Sequence, residues 1–235
     1  MKRQIKIIVL LSVNLYQSLY GQRISNVDFD EIKLAIQDSS SNYYYPLLIE
    51  RFQQFDSTFT EKEYKYIYYG NVYSEGYNPY GMTGKDNGIK FNALFNQAKF
   101  DEAIPYGQEI IKENPINLRI LFKILVCYHQ LGDTPSAQKY ANMYFPLLDV
   151  IYNSGDGKST KTAFVVISAH DEYEILNDLE LSITRQALIG QTDLLTINTK
   201  GQKKLKGRKK IKELYFDVSK PLSWLSFGRQ FENDK

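Results

Sequence analysis

The sequence predicts an α+β fold, in which an antiparallel array of helices precedes a small α+β unit with an antiparallel sheet. Three observations favour it: a 34-residue internal repeat in the middle of the chain, apolar residues at helical spacing before it, and strand-like apolar runs after it. The N-terminus has a different composition from the rest. We therefore divide the chain into residues 1–21, 22–152 and 153–235.

Residues 1–21 have the composition of a secretory signal peptide. MKRQIK carries three positive charges and no acid, IIVLLSV forms a short apolar core, and Gly21 supplies a small residue before a cut at Gln22. A membrane span needs about 20 apolar residues, so this core is too short to be one. We expect a periplasmic or secreted protein without a transmembrane segment.

Charge and cysteine content narrow the function classes further. The signal segment carries three Lys or Arg and no acid, so its removal changes the formal net charge from +2 to −1. A nearly neutral exported chain is not expected to bind nucleic acid. The only cysteine, Cys127, excludes an intrachain disulfide and lies in an apolar helical segment, where a packed thiol is expected.

The internal repeat indicates paired helices. QAKFDEAIPY at residues 97–106 aligns with LGDTPSAQKY at residues 131–140, which places Ala103 over Ala137. The offset of 34 residues is typical of units made from two antiparallel helices. In these residues the chain resembles tetratricopeptide repeats over roughly residues 86–151. Two such repeats cannot close their own core, so neighbouring elements must cover both ends.

Helices upstream of the repeats are the expected cover for the first repeat. Apolar residues at helical spacing form one stripe there: Leu47, Leu48, Phe52 and Phe55. Thr60 with Glu63 three positions later is typical of a capping box that opens a helix. That helix should end at Gly70.

Downstream of residue 153 the pattern changes. TAFVVIS predicts a strand, HDEYEILNDL a helix, and DLLTINT and IKELYFDVS two further strands on either side of a lysine-rich loop. These strands need a covering layer, so the α+β unit should pack on the helices.

The stretch SGDGKST invites comparison with a phosphate-binding loop. Gly157 and Lys158 fit the motif, but Tyr152 stands where its first glycine belongs, and a helix precedes the loop where a strand should. We therefore interpret residues 153–157 as a turn-rich link and expect no nucleotide binding.

Several stretches together resemble one family. YYG followed by YNPYG, then SGDGKS, HDEYEIL and LYFDVS, are similar to an uncharacterised family of exported bacterial proteins, domain of unknown function forty-nine-nineteen. Its hallmark residues in this chain would be Tyr68, Tyr69, Gly70, Tyr77, Pro79, Tyr80, Gly155, Asp156, Gly157, Lys158, Asp171, Glu172 and Tyr173. The resemblance implies no activity, and such hallmarks suit folding as well as a site.

Two sets of residues are candidate surfaces. The first, for a ligand or partner, comprises Tyr69, Tyr77, Tyr80, Asp156, Lys158, Asp171 and Glu172. Tyrosine suits peptide or sugar faces, although tyrosines also pack in cores. The second, for an anionic surface, comprises Lys203, Lys204, Lys206, Arg208, Lys209 and Lys210, which also suit a solvated loop.

No catalytic residue, metal ligand set or cofactor emerges. His170 beside Asp171 and Glu172 offers a base and two carboxylates, but no second metal ligand lies at helical spacing, and acids also suit a helix N-terminus. The sequence thus favours a non-catalytic module that binds a protein or peptide. The alternative is an enzyme or small-ligand binder, for example of carbohydrate, with a pocket between the two halves. A deep pocket joining Tyr80 and Lys158 would favour that alternative.

Overall fold

The computed structural model describes residues 27–81, 85–200 and 210–233. Over these residues, helices as far as residue 152 are followed by a four-stranded sheet with two further helices. The predicted α+β class is therefore confirmed.

Three helices open the described chain: α1 Phe29–Gln37, α2 Tyr45–Gln53 and α3 Glu61–Gly70. The side chain of Asp28 caps α1 by accepting from two backbone amides of its first turn. Thr60 and Glu63 form the predicted capping box at the start of α3, which ends at Gly70 as expected. A one-turn 3₁₀ helix at Asn71–Tyr73 continues it.

The predicted apolar stripe on α2 is only half correct. Leu48 and Phe52 are buried, whereas the side chains of Leu47 and Phe55 are 42% and 38% exposed. The helix ends at Gln53, and Phe55 has a positive φ of 58°, so its side chain leaves the helical stripe.

The repeat region folds into four consecutive helices: α4 Lys85–Asn96, α5 Phe100–Glu113, α6 Leu118–Gln130 and α7 Thr134–Tyr152. Each packs on the next along the chain. Ala103 and Ala137 are both buried, as the aligned repeat predicts. The likeness to tetratricopeptide repeats stays a prediction beyond these helix positions.

The upstream helices lie elsewhere than expected. Instead of covering α4, α3 packs on α7, where the Tyr64 hydroxyl donates to the Asn142 carbonyl at 3.1 Å. This placement turns the consecutive Tyr68 and Tyr69 of α3 toward the C-terminal half.

The described residues of the C-terminal half form six elements: β1 Phe164–Val165, α8 Asp171–Asp178, β2 Ile183–Ile189, β3 Thr192–Ile197, β4 Glu213–Asp217 and α9 Ser219–Asn233. The strand order is β1-β4-β3-β2. β2 with β3 and β3 with β4 are antiparallel, but β1 with β4 is parallel, so the sheet is mixed and not purely antiparallel as predicted. The chain leaves β1 through α8 and a hairpin, and it returns along β4 in the direction of β1.

One hydrophobic core runs through both halves. Buried residues of the sheet, such as Leu195 and Phe216, belong to the same cluster as buried residues of α3, α6 and α7. α8 lies between them and contacts α6. The irregular segment that joins β1 to α8 is therefore enclosed at the junction of the halves.

Candidate functional site

Three tyrosine hydroxyls of the predicted hallmark stretch bind the chain between the end of β1 and the start of α8; they belong to Tyr68, Tyr69 and Tyr77. Tyr69 donates to the Val165 carbonyl at 3.1 Å and Tyr77 to the Ile167 carbonyl at 2.7 Å. Tyr68 donates to Oδ2 of Asp171 at 2.7 Å. Irregular backbone needs such partners when it is buried, so these side chains hold the segment in place.

The YNPYG loop that follows α3 is bound to the same segment. The hydroxyl of Ser168 donates to the Pro79 carbonyl at 3.0 Å, and it accepts from the His170 amide at 3.2 Å. The loop therefore forms one wall of the junction, and the start of α8 forms another.

A cleft of about 40 Å³ lies at this junction, with room for a few water molecules or one small polar group. Its third wall is the turn between α5 and α6. The polar side chains that line it include Asn78, Asn114, Asn117, Arg119, His170 and Asp171. Residues far apart in the sequence thus converge on one small polar cavity between the halves.

Two of these side chains lack partners within the described residues. Oδ1 of Asn114 is buried and accepts no hydrogen bond. Arg119 is exposed, and no carboxylate of the described chain lies within ion-pair distance of it. The cleft therefore offers an unused acceptor and an unused cation.

The surroundings of the cleft shift the pKa values of His170 and Asp171, at the start of α8. Burial raises the pKa of Asp171 to about 7, while the hydrogen bond from Tyr68 acts in the opposite direction. Burial and the positive charge of Arg119 lower the pKa of His170. The surroundings of the cleft therefore favour the neutral forms of both the His170 imidazole and the Asp171 carboxyl group.

Two further acids of α8 are buried beside the junction. Burial raises the pKa of Glu174 to about 7, although Arg119 and Lys123 of α6 favour its charged form. Glu172 has no exposed surface and lies beside Asp193 of β3. The start of α8 is thus unusually acidic for a buried helix.

The structure brings together only some of the predicted ligand-surface residues. Tyr77 and Asp171 line the cleft, and Tyr69 lies fully buried behind it. Tyr80 is 38% exposed, with its ring centroid 6.3 Å from that of Trp224. Glu172 is buried at the sheet.

Asp156 and Lys158 lie away from the cleft. They form an exposed ion pair with Nζ of Lys158 3.0 Å from Oδ2 of Asp156. Neither Tyr80 nor Lys158 lines the cleft that the YNPYG loop helps to form, so this cleft does not join them.

The predicted anionic-surface patch lies mostly outside the described residues, because Lys203, Lys204, Lys206, Arg208 and Lys209 belong to the segment 201–209. Lys210 is described; it is exposed and its Nζ donates to the Thr199 carbonyl at 2.7 Å. Contact of this patch with an anionic surface stays a prediction.

Sequence reasoning missed Asn114, Asn117 and Arg119. They stand at the turn between two repeat helices, where Asn-Pro indicates a helix end and Asn117 caps α6. Only the packing of that turn against α8 brings them to the cleft. One signal of this site was present in the sequence: the stretch ENPINLR holds more asparagines than helix capping requires.

Other site types find little support in the described chain. No group of three or more His, Cys, Asp or Glu side chains in it is placed to hold a metal ion. Within the same residues, no helix combines the length and apolar character that crossing a membrane requires. Burial raises the pKa of the Cys127 thiol to about 12, so the packed thiol predicted from the sequence is what the structure shows.

Comparison with known proteins gives a family without an assigned activity. The family model described as a domain of unknown function, DUF4919, matches residues 30–226, which include the tyrosines, the YNPYG loop and the whole cleft. No curated protein and no solved structure gives a significant match. The match covers most of the chain, and the chain belongs to the DUF4919 family of domains of unknown function.

Proposed function

We propose that this protein is a non-catalytic binding module that works outside the cytoplasm, after removal of residues 1–21. Its cleft takes the C-terminal end of a peptide or protein partner. The observation that carries the proposal is the unpaired guanidinium of Arg119 beside a cleft built by the hallmark YNPYG loop. Guanidinium groups bind carboxylates through two parallel hydrogen bonds, which gives both affinity and orientation.

The unused acceptor in the cleft supports a peptide end in particular. Oδ1 of Asn114 is buried without a donor in the described chain, and such a group gains most from a ligand N–H. A peptide C-terminus carries a carboxylate and, one residue away, a backbone N–H. It therefore matches Arg119 and Asn114 together, in the manner of other sites that capture chain ends.

The polar groups of the cleft favour binding over catalysis. Ser168 is the hydroxyl nearest to His170 in sequence, but it donates to the Pro79 carbonyl and accepts from a backbone amide. It is therefore not activated by the imidazole as a nucleophile would be. The carboxyl group of Asp171 is committed to the hydroxyl of Tyr68.

Calorimetry with defined probes tests the proposal. The probes are an N-acetylated alanine tripeptide with a free carboxylate, the same peptide as its C-terminal amide, and glucuronate as an acidic sugar. We expect the free acid to bind and the amide to bind at least about tenfold more weakly, because a charge-assisted hydrogen bond is lost.

Arg119→Gln should reproduce that loss with the free acid, whereas Lys158→Gln, which removes an exposed cation away from the cleft, should not. Equal binding of acid and amide, or an Arg119→Gln variant that binds normally, contradicts the proposal. If glucuronate bound and the peptides did not, the ligand of the cleft would be a small acidic molecule and not a peptide end.

A further inference from the structure

Glu172, in the first turn of α8, is the most completely buried acid in the described chain. None of its surface is exposed, and neither of its carboxylate oxygens has a hydrogen-bond donor among the described residues. An ionised carboxylate in that position would lose its hydration without any compensating hydrogen bond or charge. Some other group must therefore neutralise it.

The titratable groups that face Glu172 are acids or a phenol. Asp193 approaches from β3, Asp171 precedes it on α8, and Tyr80 approaches from the YNPYG loop. No lysine, arginine or histidine of the described chain forms an ion pair with it. Two neighbouring carboxylates also fall short of the six to eight oxygen ligands that Ca²⁺ takes. A proton is the remaining counter-ion.

Asp193 is suited to accept a hydrogen bond from the protonated carboxyl group of Glu172. It lies on the same face of the sheet as the buried Phe216, its partner on β4, and it interacts with Glu172 of α8. Its Oδ2 accepts from Nε2 of Gln186 at 2.9 Å, which leaves Oδ1 to accept a hydrogen bond from Glu172.

We propose that Glu172 and Asp193 form a proton-binding site, in which the neutral carboxyl group of Glu172 donates a hydrogen bond to the carboxylate of Asp193. The bound proton joins α8 to β3. His170 and Asp171, which line the cleft, lie at the start of the same helix. The site thus fixes one wall of the cleft to the sheet, whatever ligand the cleft takes.

The titration of Glu172 agrees with this geometry. Burial raises its pKa to about 9 from an ordinary value of 4.5, and the charge of Asp193 raises it further. A carboxyl group whose pKa rises on folding stabilises the fold fully below its unfolded value, and that contribution is lost as the pH rises toward the folded value. The stability that depends on this proton should therefore fall between about pH 4.5 and pH 9.

Urea unfolding between pH 5 and pH 8 tests the site in the full chain. Glu172→Gln keeps the shape of the side chain, cannot ionise, and supplies an amide donor for Asp193. The ratio of its folding constant to that of the parent protein should rise by up to about tenfold per pH unit, because one proton fewer is linked to folding. Glu113→Gln, at an exposed glutamate, should leave the ratio nearly independent of pH.

A ratio for Glu172→Gln that does not change with pH overturns the proposal. If that variant fails to fold, infrared spectra of the parent protein with isotopically labelled glutamate decide the matter. At pH 8 they should show the carbonyl band of a protonated carboxylic acid, since the pKa of Glu174 is about 7 and that group is mostly ionised there. Absence of the band also overturns the proposal.

Discussion

At the scale of single residues, the loop GDGKS shows how a motif-like stretch can be required for folding. The amides of Asp156 and Gly157 both donate to the Thr162 carbonyl, at 2.9 Å and 2.8 Å, so they are not available to cradle a phosphate. Gly157 has a φ of +65° and lies against the ring of Phe164. Gly155 lies against backbone, where an added Cβ would be 2.3 Å from the Ala163 carbonyl oxygen.

This loop gives a prediction with an internal control. Gly155→Ala should destabilise the fold by about 1–3 kcal/mol, because the clash is with backbone that cannot move aside. Lys158→Ala, three positions along, should change stability by less than about 0.5 kcal/mol, because its ion pair is exposed. Thermal unfolding measures both. A large loss for Lys158→Ala with none for Gly155→Ala would refute the structural role of the glycines.

The candidate site was only partly predictable from its residues. Tyr77 and Asp171 stood out because they lie in the stretches that resemble the family, and both line the cleft. Arg119 and Asn114 did not, because a polar residue at a turn between helices is ordinary until a distant segment packs against it. Residue type indicates chemistry, but convergence depends on tertiary packing.

At the scale of elements, the packing of the repeat helices depends on the close approach of α5 to its two neighbours. Gly107 of α5 is buried where an added Cβ would be 2.8 Å from Cγ1 of Ile124 on α6 and 2.9 Å from the ring of Phe91 on α4. Ala103, one turn earlier, has no exposed surface. Small residues on this face of α5 thus allow α4 and α6 to pack against it.

Gly107→Ala should therefore destabilise the protein, against the usual preference of helices. Alanine is favoured over glycine inside a helix by about 1 kcal/mol, but overpacking here should cost about 1–3 kcal/mol. Gly76→Ala, where nothing lies within 4 Å of the added atom, is the matched control and should be nearly neutral. Denaturant unfolding compares them; a stabilised Gly107→Ala protein would mean that these helices are not in close contact.

Elements with strong local signals were predictable, and those without them were not. The capping box fixed the start of α3, and the spacing of apolar residues placed α5 to α8 within a few residues. The edge strand β2 was missed because all of its residues are half-exposed or exposed, so no alternation of buried and exposed positions marks it. α9 was missed because Pro221 near its start and several serines weaken a helical pattern.

At the scale of the whole molecule, two tyrosines join the two halves. Tyr69 and Tyr77 come from the helical half and donate to carbonyls at the end of β1 and just after it, and the hydrophobic core is continuous across this junction. From the sequence, the fold class could be inferred, but the placement of α3 on α7 could not. The hydroxyls of Tyr64 and Tyr69 on α3 donate to backbone carbonyls, and such acceptors leave no trace in the residue pattern.

Loss of these two hydroxyls should weaken the whole protein at once. Tyr69→Phe and Tyr77→Phe each leave a carbonyl of the junction without its donor, and each should cost about 1–3 kcal/mol. Because the halves share one core, unfolding should remain a single transition by both near-ultraviolet and far-ultraviolet circular dichroism. Tyr173→Phe, whose exposed hydroxyl reaches only Gln186 at 3.4 Å, should change stability by less than about 0.5 kcal/mol. Two separate transitions would show that the halves unfold independently. A Tyr173→Phe effect as large as the other two would show that the loss of stability is not specific to the junction hydroxyls.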